Sequence, residues 1–123
     1  MKIAVDAMGG DYAPEQVVFG AVRAARKYRC EIVLVGDEPR IREVLQREKG
    51  WEDLGITIHH TTQVIEMDEH PADAVRTKKD ASVVVATRLV KDGECDAVLS
   101  AGSTGAAVTA AQLILRRIKG IGR

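Results

Sequence analysis

Between Asp96 and Ala107 the chain reads Asp-Ala-Val-Leu-Ser-Ala-Gly-Ser-Thr-Gly-Ala-Ala. Three apolar residues, Ala97 to Leu99, run into a loop of small residues from Ser100 to Gly105, and an alanine-rich helical pattern follows. A buried strand that empties into a helix N-terminus is the reading this order imposes. Such a junction suits an anion. Glycine lets backbone N–H groups come close to a ligand, Ser and Thr hydroxyls add donors, and the helix dipole favours negative charge. The same residues also describe an ordinary strand-to-helix turn in which Ser103 or Thr104 is the N-cap. The local pattern leaves both readings open.

The rest of the chain repeats the arrangement. Lys2 to Asp6 is a short apolar strand ended by Ala7-Met8-Gly9-Gly10-Asp11. Pro14 suits a first helical turn, and Val18, Ala21, Val22 and Ala25 recur at helical spacing to about Tyr28. Glu31 to Gly36 is a second strand whose unbroken apolar run predicts burial on both faces, and Asp37 then caps a helix carrying Ile41, Val44 and Leu45 that Glu48-Lys49-Gly50 ends. Ile56 to His60 is a third strand, followed by a polar segment from Thr61 to Glu69. The next crossover is divided into Ala72 to Lys79 and Ser82 to Val90, with Asp80 or Ser82 able to cap the second piece and Gly93 stopping it. The fourth strand is Ala97 to Ser100. A last helix is expected from Thr104 to Ile118, with Gly120 where a C-cap glycine stands.

Four strands alternating with helices predict a parallel sheet with right-handed crossovers, a three-layer α/β fold. In the common 3-2-1-4 order the first and fourth strands are neighbours, and ligands bind in the crevice at that switch point. The Gly9-Gly10 loop and the Gly102-to-Gly105 loop then flank one crevice.

Composition removes several classes of function. Eighteen basic and eighteen acidic residues cancel, and no basic run exceeds a dipeptide such as Lys78-Lys79 or Arg116-Arg117, so charge does not favour nucleic acid. Cys30 and Cys95 have neither metal nor redox spacing, which fits a reducing compartment. No apolar run approaches the roughly 18 residues of a spanning helix, so the chain reads as soluble and intracellular. Its 123 residues amount to about one domain, short for a complete two-substrate enzyme, and are expected to be a fragment.

The first loop lacks G-x-G-x-x-G, and the second lacks the Walker lysine after its final glycine, so nucleotide binding is not indicated. Lys78 and Lys79 could bring mobile cations to a phosphate and Arg76 a planar fork, or all three could lie on a solvated helical face. Asp6 and Asp11 would repel phosphate unless they hold the loop by hydrogen bonds or coordinate a metal; the loop-holding role is preferred. His59, His60 and His70 show no H-x-x-x-H spacing, and His59 and His60 point to opposite faces of a strand, so no joint metal site is expected. Trp51 reads as packing at a loop.

The residues also carry a family resemblance. Ile3-Ala4-Val5-Asp6-Ala7-Met8-Gly9-Gly10-Asp11, with Ala13-Pro14 after it, resembles the N-terminal signature of the PlsX family, the bacterial phosphate acyltransferases of phospholipid synthesis. Val35-Gly36-Asp37, Val64-Ile65-Glu66-Met67-Asp68, Ala74-Val75-Arg76, Lys78-Lys79-Asp80, Ser100 to Ala106 and Arg117 to Ile121 resemble family segments in the same order. Family members are much longer, so the resemblance makes this chain the N-terminal part of a single α/β catalytic domain, 1–123, of the isocitrate dehydrogenase/phosphotransacetylase-like type.

What the resemblance implies is a reaction. Inorganic phosphate attacks the thioester of acyl-[acyl carrier protein], releasing the carrier and an acyl phosphate for a membrane glycerol-3-phosphate acyltransferase. Such chemistry needs the anion held and aimed at a carbonyl carbon, with donors for the developing oxyanion, more than it needs a metal. The resemblance implies Lys78, Lys79 and Asp80 as catalytic candidates. For phosphate and substrate it implies Asp6, Gly9, Gly10, Asp11, Ser100, Gly102, Ser103, Thr104 and Gly105, with no cofactor and no metal. It further implies a cytoplasmic homodimer associated with the membrane surface. A phosphotransacetylase-like enzyme using acyl-coenzyme A, or a non-catalytic phosphate-binding or regulatory module, are the alternatives. The fragment alone is expected to have no turnover and to associate through an open strand edge or uncovered apolar surface.

Overall fold

The computed structural model describes residues 1–116. Strands β1 (Lys2–Asp6), β2 (Glu31–Gly36), β3 (Ile56–His60) and β4 (Ala97–Leu99) form one parallel sheet in the order β3-β2-β1-β4. Helices α1 (Glu15–Tyr28) and α2 (Glu38–Leu45) connect β1 to β2 and β2 to β3. Helices α3 (Pro71–Thr77) and α4 (Ser82–Lys91) carry the chain from β3 to β4, and α5 (Thr104–Ala110) follows. The predicted fold class and strand order are both found. Passing from β3 over the opposite face is what sets β4 beside β1, with Val5 paired to Leu34 on one side and to Leu99 on the other.

Strand alternation divides the core into layers. Val5, Ile32, Leu34 and Ile56 pack with Val18, Val22, Ile41 and Leu45 of α1 and α2. Ala4, Val33 and Val35 pack with Val85, Ala86 and Leu89 of α4. Burial of β2 on both faces is as its unbroken apolar run predicts, since Ile32 to Gly36 are all buried. Leu34, Ile41 and Leu45 are completely buried, each worth about 1.5–3 kcal/mol in transfer from water. A third cluster joins Ile65, Ala74, Val75, Val83, Val84, Ala106 and Ala110, so α3, α4, α5 and the segment before α3 share one apolar seam. That seam fixes the helices around the C-terminal ends of β1 and β4.

Several boundaries differ from the sequence reading. Helix α2 stops at Leu45, and the residues up to Glu48 continue as turns closed on Val44 and Leu45. Asp37 does cap it, accepting the Arg40 N–H at 3.4 Å. Trp51 sits in a single 3₁₀ turn and packs half-buried against the α1–α2 core. Helix α3 ends at Thr77, two residues before Lys79. Neither Asp80 nor Ser82 caps α4. Ala81 occupies the cap position without a side-chain bond, because the Ser82 hydroxyl is drawn to Asp6 and the Asp80 carboxylate to Thr62. Ser100 lies past the end of β4. After α5 the helix widens into a π turn, Ala111–Leu115, and the left-handed φ of 66° at Arg116 ends it. Among the described residues the helix thus ends at Leu115, short of the expected single run, and the expected end at Ile118 and cap at Gly120 lie outside the described residues.

Nothing among the described residues covers β4 on the α1 side. Leu99 is 62 % exposed there, beside an apolar groove lined by Ile3, Val5, Val17, Gly20 and Ala24.

Candidate functional site

The last residue of β1 organises the site. Asp6 is only 4 % exposed, and a carboxylate so buried must collect donors. Its Oδ1 accepts the Ser82 hydroxyl at 2.6 Å and the Met8 N–H at 3.1 Å, and its Oδ2 accepts the Ser100 hydroxyl at 2.8 Å. Ser100 Oγ in turn accepts the Gly102 N–H at 3.2 Å. One carboxylate thus ties β1 to the first turn of α4 and to the loop after β4, the loop-holding role expected of Asp6. Asp11 does not share it. The chain turns at Gly10 (φ 109°), and Asp11 beyond it is exposed and makes no hydrogen bond among the described residues.

The two glycine loops touch. A Cβ built on Gly9 would lie 2.8 Å from the Gly102 nitrogen, and one on Gly102 would lie 3.0 Å from Gly9 Cα. Both glycines are there because the two backbones need the space of the side chain. Where the loops meet, a cleft of about 250 Å³ opens. Its floor is Asp6 and Ser82; its sides are Met8 to Asp11, Gly102, Ser103 and Ala106, and across from them Val64 to Met67. The backbone N–H groups of Gly10, Asp11, Ser103, Thr104 and Gly105 have no acceptor among the described residues. The N–H of Gly102 is already used by Ser100 and that of Ala106 by the Ser103 cap. Free donors therefore come from both loops. The side chains add the opposite charge, because Asp6, Asp11 and Glu66 line the cleft and no Lys or Arg does.

The Val64-to-Met67 wall is pinned from outside. Lys78 Nζ donates to the Val64 carbonyl at 2.9 Å and to Glu69 Oε2 at 2.7 Å, and the same Oε2 accepts the Glu66 N–H at 2.7 Å. The Lys78 ammonium, then the Glu66 N–H, hold the Glu69 carboxyl below its ordinary value. Asp80 does comparable work on the preceding residues: its carboxylate accepts the hydroxyl and the N–H of Thr62 at 2.6 and 2.7 Å, which lowers its pKa. Lys79 and Arg76 are exposed, and neither forms an ion pair among the described residues. Lys78, Lys79 and Asp80 thus stand outside the cleft lining.

Gly105 also has a different neighbour from the one its motif implies. A Cβ on it would meet Pro71 Cγ at 2.5 Å, so this glycine lets α5 pack on α3. Thr104 is exposed in the first turn of α5, and Ser103, not Thr104, is the cap. Sequence reasoning missed Ser82 as a floor residue and Met8, Val64 to Met67 and Ala106 as walls. Only a buried partner 76 residues away reveals the first; the second come from the polar segment that no periodicity marks. Among the described residues no group of three or more His, Cys, Asp or Glu side chains is placed to hold a metal ion.

Comparison with known proteins adds to this geometry. The family described as fatty acid synthesis protein matches residues 1–123, all of the chain. The chain belongs to this family. Among its relatives, the phosphate acyltransferase of Desulfitobacterium hafniense strain DSM 10664 is 57 % identical over 123 residues, which are 100 % of this chain and 36 % of the relative. That of Pelotomaculum thermopropionicum is 58 % identical, over 35 % of its own length, and that of Trichlorobacter lovleyi 50 %, also over 35 %. The chain thus spans about a third of the length of the curated relatives it matches. Family membership agrees with the PlsX resemblance of the ordered motifs.

Proposed function

We propose that the protein is a phosphate acyltransferase that converts acyl-[acyl carrier protein] and inorganic phosphate to acyl phosphate and free carrier, in phospholipid synthesis. The observation that carries this reading is the meeting of two glycine loops at a cleft, each offering N–H groups without a protein acceptor. The relatives' printed name supports it.

In this reading a phosphate oxygen attacks the thioester carbon, the C–O bond forms, the C–S bond breaks, and the carrier leaves as its thiol. The N–H groups of Gly10, Asp11 and Ser103 hold and aim the nucleophile, where fixed dipoles cost no reorganisation. Gly9 and Gly102 bring the loops together. Asp6, with Ser82 and Ser100, holds both in register, and Lys78 and Asp80 position the opposite wall through Glu69, Val64 and Thr62. Lys79 is the exposed cation nearest in sequence to supply positive charge.

Residues 1–123 form the N-terminal part of one α/β catalytic domain in this reading. The enzyme works in the cytoplasm as a homodimer at the membrane surface and passes acyl phosphate to a membrane glycerol-3-phosphate acyltransferase. No helix among the described residues is long and apolar enough to cross a membrane. The test is phosphate-dependent loss of thioester by the full-length protein, with acyl-[acyl carrier protein] and acyl-coenzyme A offered separately. Turnover confined to the carrier thioester is expected. Turnover with coenzyme A alone would make it phosphotransacetylase-like, and binding of phosphate without turnover of either would make it a binding module.

A further inference from the structure

The row of side chains that crosses the α1 face of the sheet loses its cover at β4. Leu34, Val5 and Leu99 are register partners on β2, β1 and β4, so they point to the same side. Leu34 is fully buried and Val5 is 5 % exposed in the core that α1 and α2 complete, but Leu99 is 62 % exposed. Strands of a parallel sheet are normally covered on both faces, and Val98, on the other face of β4, does pack in the α4 layer. Among the described residues one face of β4 is therefore finished and the other is not.

The bare face is shaped. Between Leu99 and α1 runs an apolar groove of about 390 Å³. Val17, Gly20 and Ala24 line it from α1 at positions i, i+3 and i+7, one face of a helix, and no Lys or Arg lines it. A Cβ on Gly20 would meet nothing within 4 Å among the described residues, so α1 is open to a close neighbour there.

Chain handedness decides what can cover this face. After β4 the chain leaves over the opposite one, where Ala106 and Ala110 of α5 pack with α3 and α4. A further parallel strand laid outside β4 by a right-handed crossover keeps its connecting helix on that side. Growth of the sheet in this way leaves Leu99 bare, and the same polypeptide closes the groove only by coming back across the sheet from farther along. Length allows it, since this chain spans about a third of the length of its relatives.

We propose that in the full-length polypeptide a helix from the stretch after residue 123 lies in this groove, against Val17, Gly20 and Leu99. It does for β4 what α1 and α2 do for β1 and β2, completing the helix layer on that face. The proposal rests on the reading of residues 1–123 as the N-terminal part of one domain. It makes the strand that leads into Ser100 and the second glycine loop dependent on a distant part of the chain.

The test uses the full-length protein, and its intact mass comes first: a polypeptide ending at residue 123 would end the N-terminal reading and this proposal together. The Cys30 thiol lines the groove, and in the unaltered protein it is expected to react with a maleimide roughly 100-fold more slowly than in urea. Photo-leucine, a near-isosteric analogue incorporated in place of leucine, is expected on irradiation to link Leu99 to a peptide after residue 123, in a product of monomer mass. With the intact mass confirming a longer chain, three results would overturn the proposal and leave the N-terminal reading standing. A product of dimer mass from Leu99 gives the groove to a second copy. Cys30 reacting as fast as in urea, or Leu99 linking within residues 1–123 alone, leaves the groove without the helix. Protection of Cys30 that appears only with an added acyl thioester gives the groove to the acyl chain.

Discussion

Gly9 and Gly102, 93 positions apart in the chain, stand so close that a Cβ on the first would lie 2.8 Å from the backbone nitrogen of the second. Two loops that open separate helices are one structural unit. Gly9→Ala should therefore destabilise the fold by about 1–3 kcal/mol, because backbone rather than a flexible side chain must give way. Gly102→Ala should cost less, since its closest contact is 3.0 Å and a small shift of Gly9 relieves it. Urea unfolding of both variants checks the order; equal losses would mean that the loops are free to separate.

Removing the buried carboxylate tests the tie between three segments. Asp6→Ala leaves the Ser82 and Ser100 hydroxyls without their acceptor, and an expected loss of about 3 kcal/mol follows from orphaned polar groups at a buried position. Ser82→Ala should cost less, about 1 kcal/mol, since Asp6 keeps its other donors. Denaturation midpoints decide it. A loss for Ser82→Ala as large as that for Asp6→Ala would show that the carboxylate is not the centre of the network.

Lys78 is expected to act on the cleft through its wall. Lys78→Met should leave Val64 and Glu69 without their shared donor, raising the KM for phosphate in the full-length protein while the fold persists. The pH dependence has a definite sign. The Glu69 carboxyl sits below its ordinary 4.5 in the folded chain, so the tie is intact above that value and is lost as pH falls through the depressed one. Carboxyl NMR titration should find Glu69 below 4.5 in the unaltered protein and moving up towards it in Lys78→Met. A Glu69 titration that ignores the substitution would sink this account of Lys78.

Gly105 should prove to be a packing residue. Gly105→Ala places a methyl against the stiff ring of Pro71, at an expected cost of about 1–3 kcal/mol. Combined with Pro71→Ala the cost should shrink, giving a coupling of about 1 kcal/mol in a double-mutant cycle. Strict additivity of the two changes would return Gly105 to the ligand side of its loop.

How much of this could be read from the chain alone follows from where each interaction lies. The apolar run Ile32 to Val35, the spacing of Val18, Ala21, Val22 and Ala25, and Asp37 ahead of its helix are local features, and they set the strands, the helices and one cap within a residue or two. The alternation of strand and helix, with the handedness of crossovers, was enough to place β4 beside β1 and so to bring the two glycine loops together. Side-chain assignments did not follow in the same way. Ser82 looked like a helix cap because caps are local, but its hydroxyl goes to a carboxylate 76 residues away. Lys78 looked like a free cation because nothing within its own helix pairs with it; its partners, Glu69 and the Val64 carbonyl, lie in a segment without periodicity. Gly105 looked like a phosphate glycine, and only the packing of α5 on α3 gives it Pro71 as a neighbour. Secondary structure and topology are written in short-range pattern and chain handedness, whereas the task of each polar side chain depends on which distant group the packed core brings within about 3 Å.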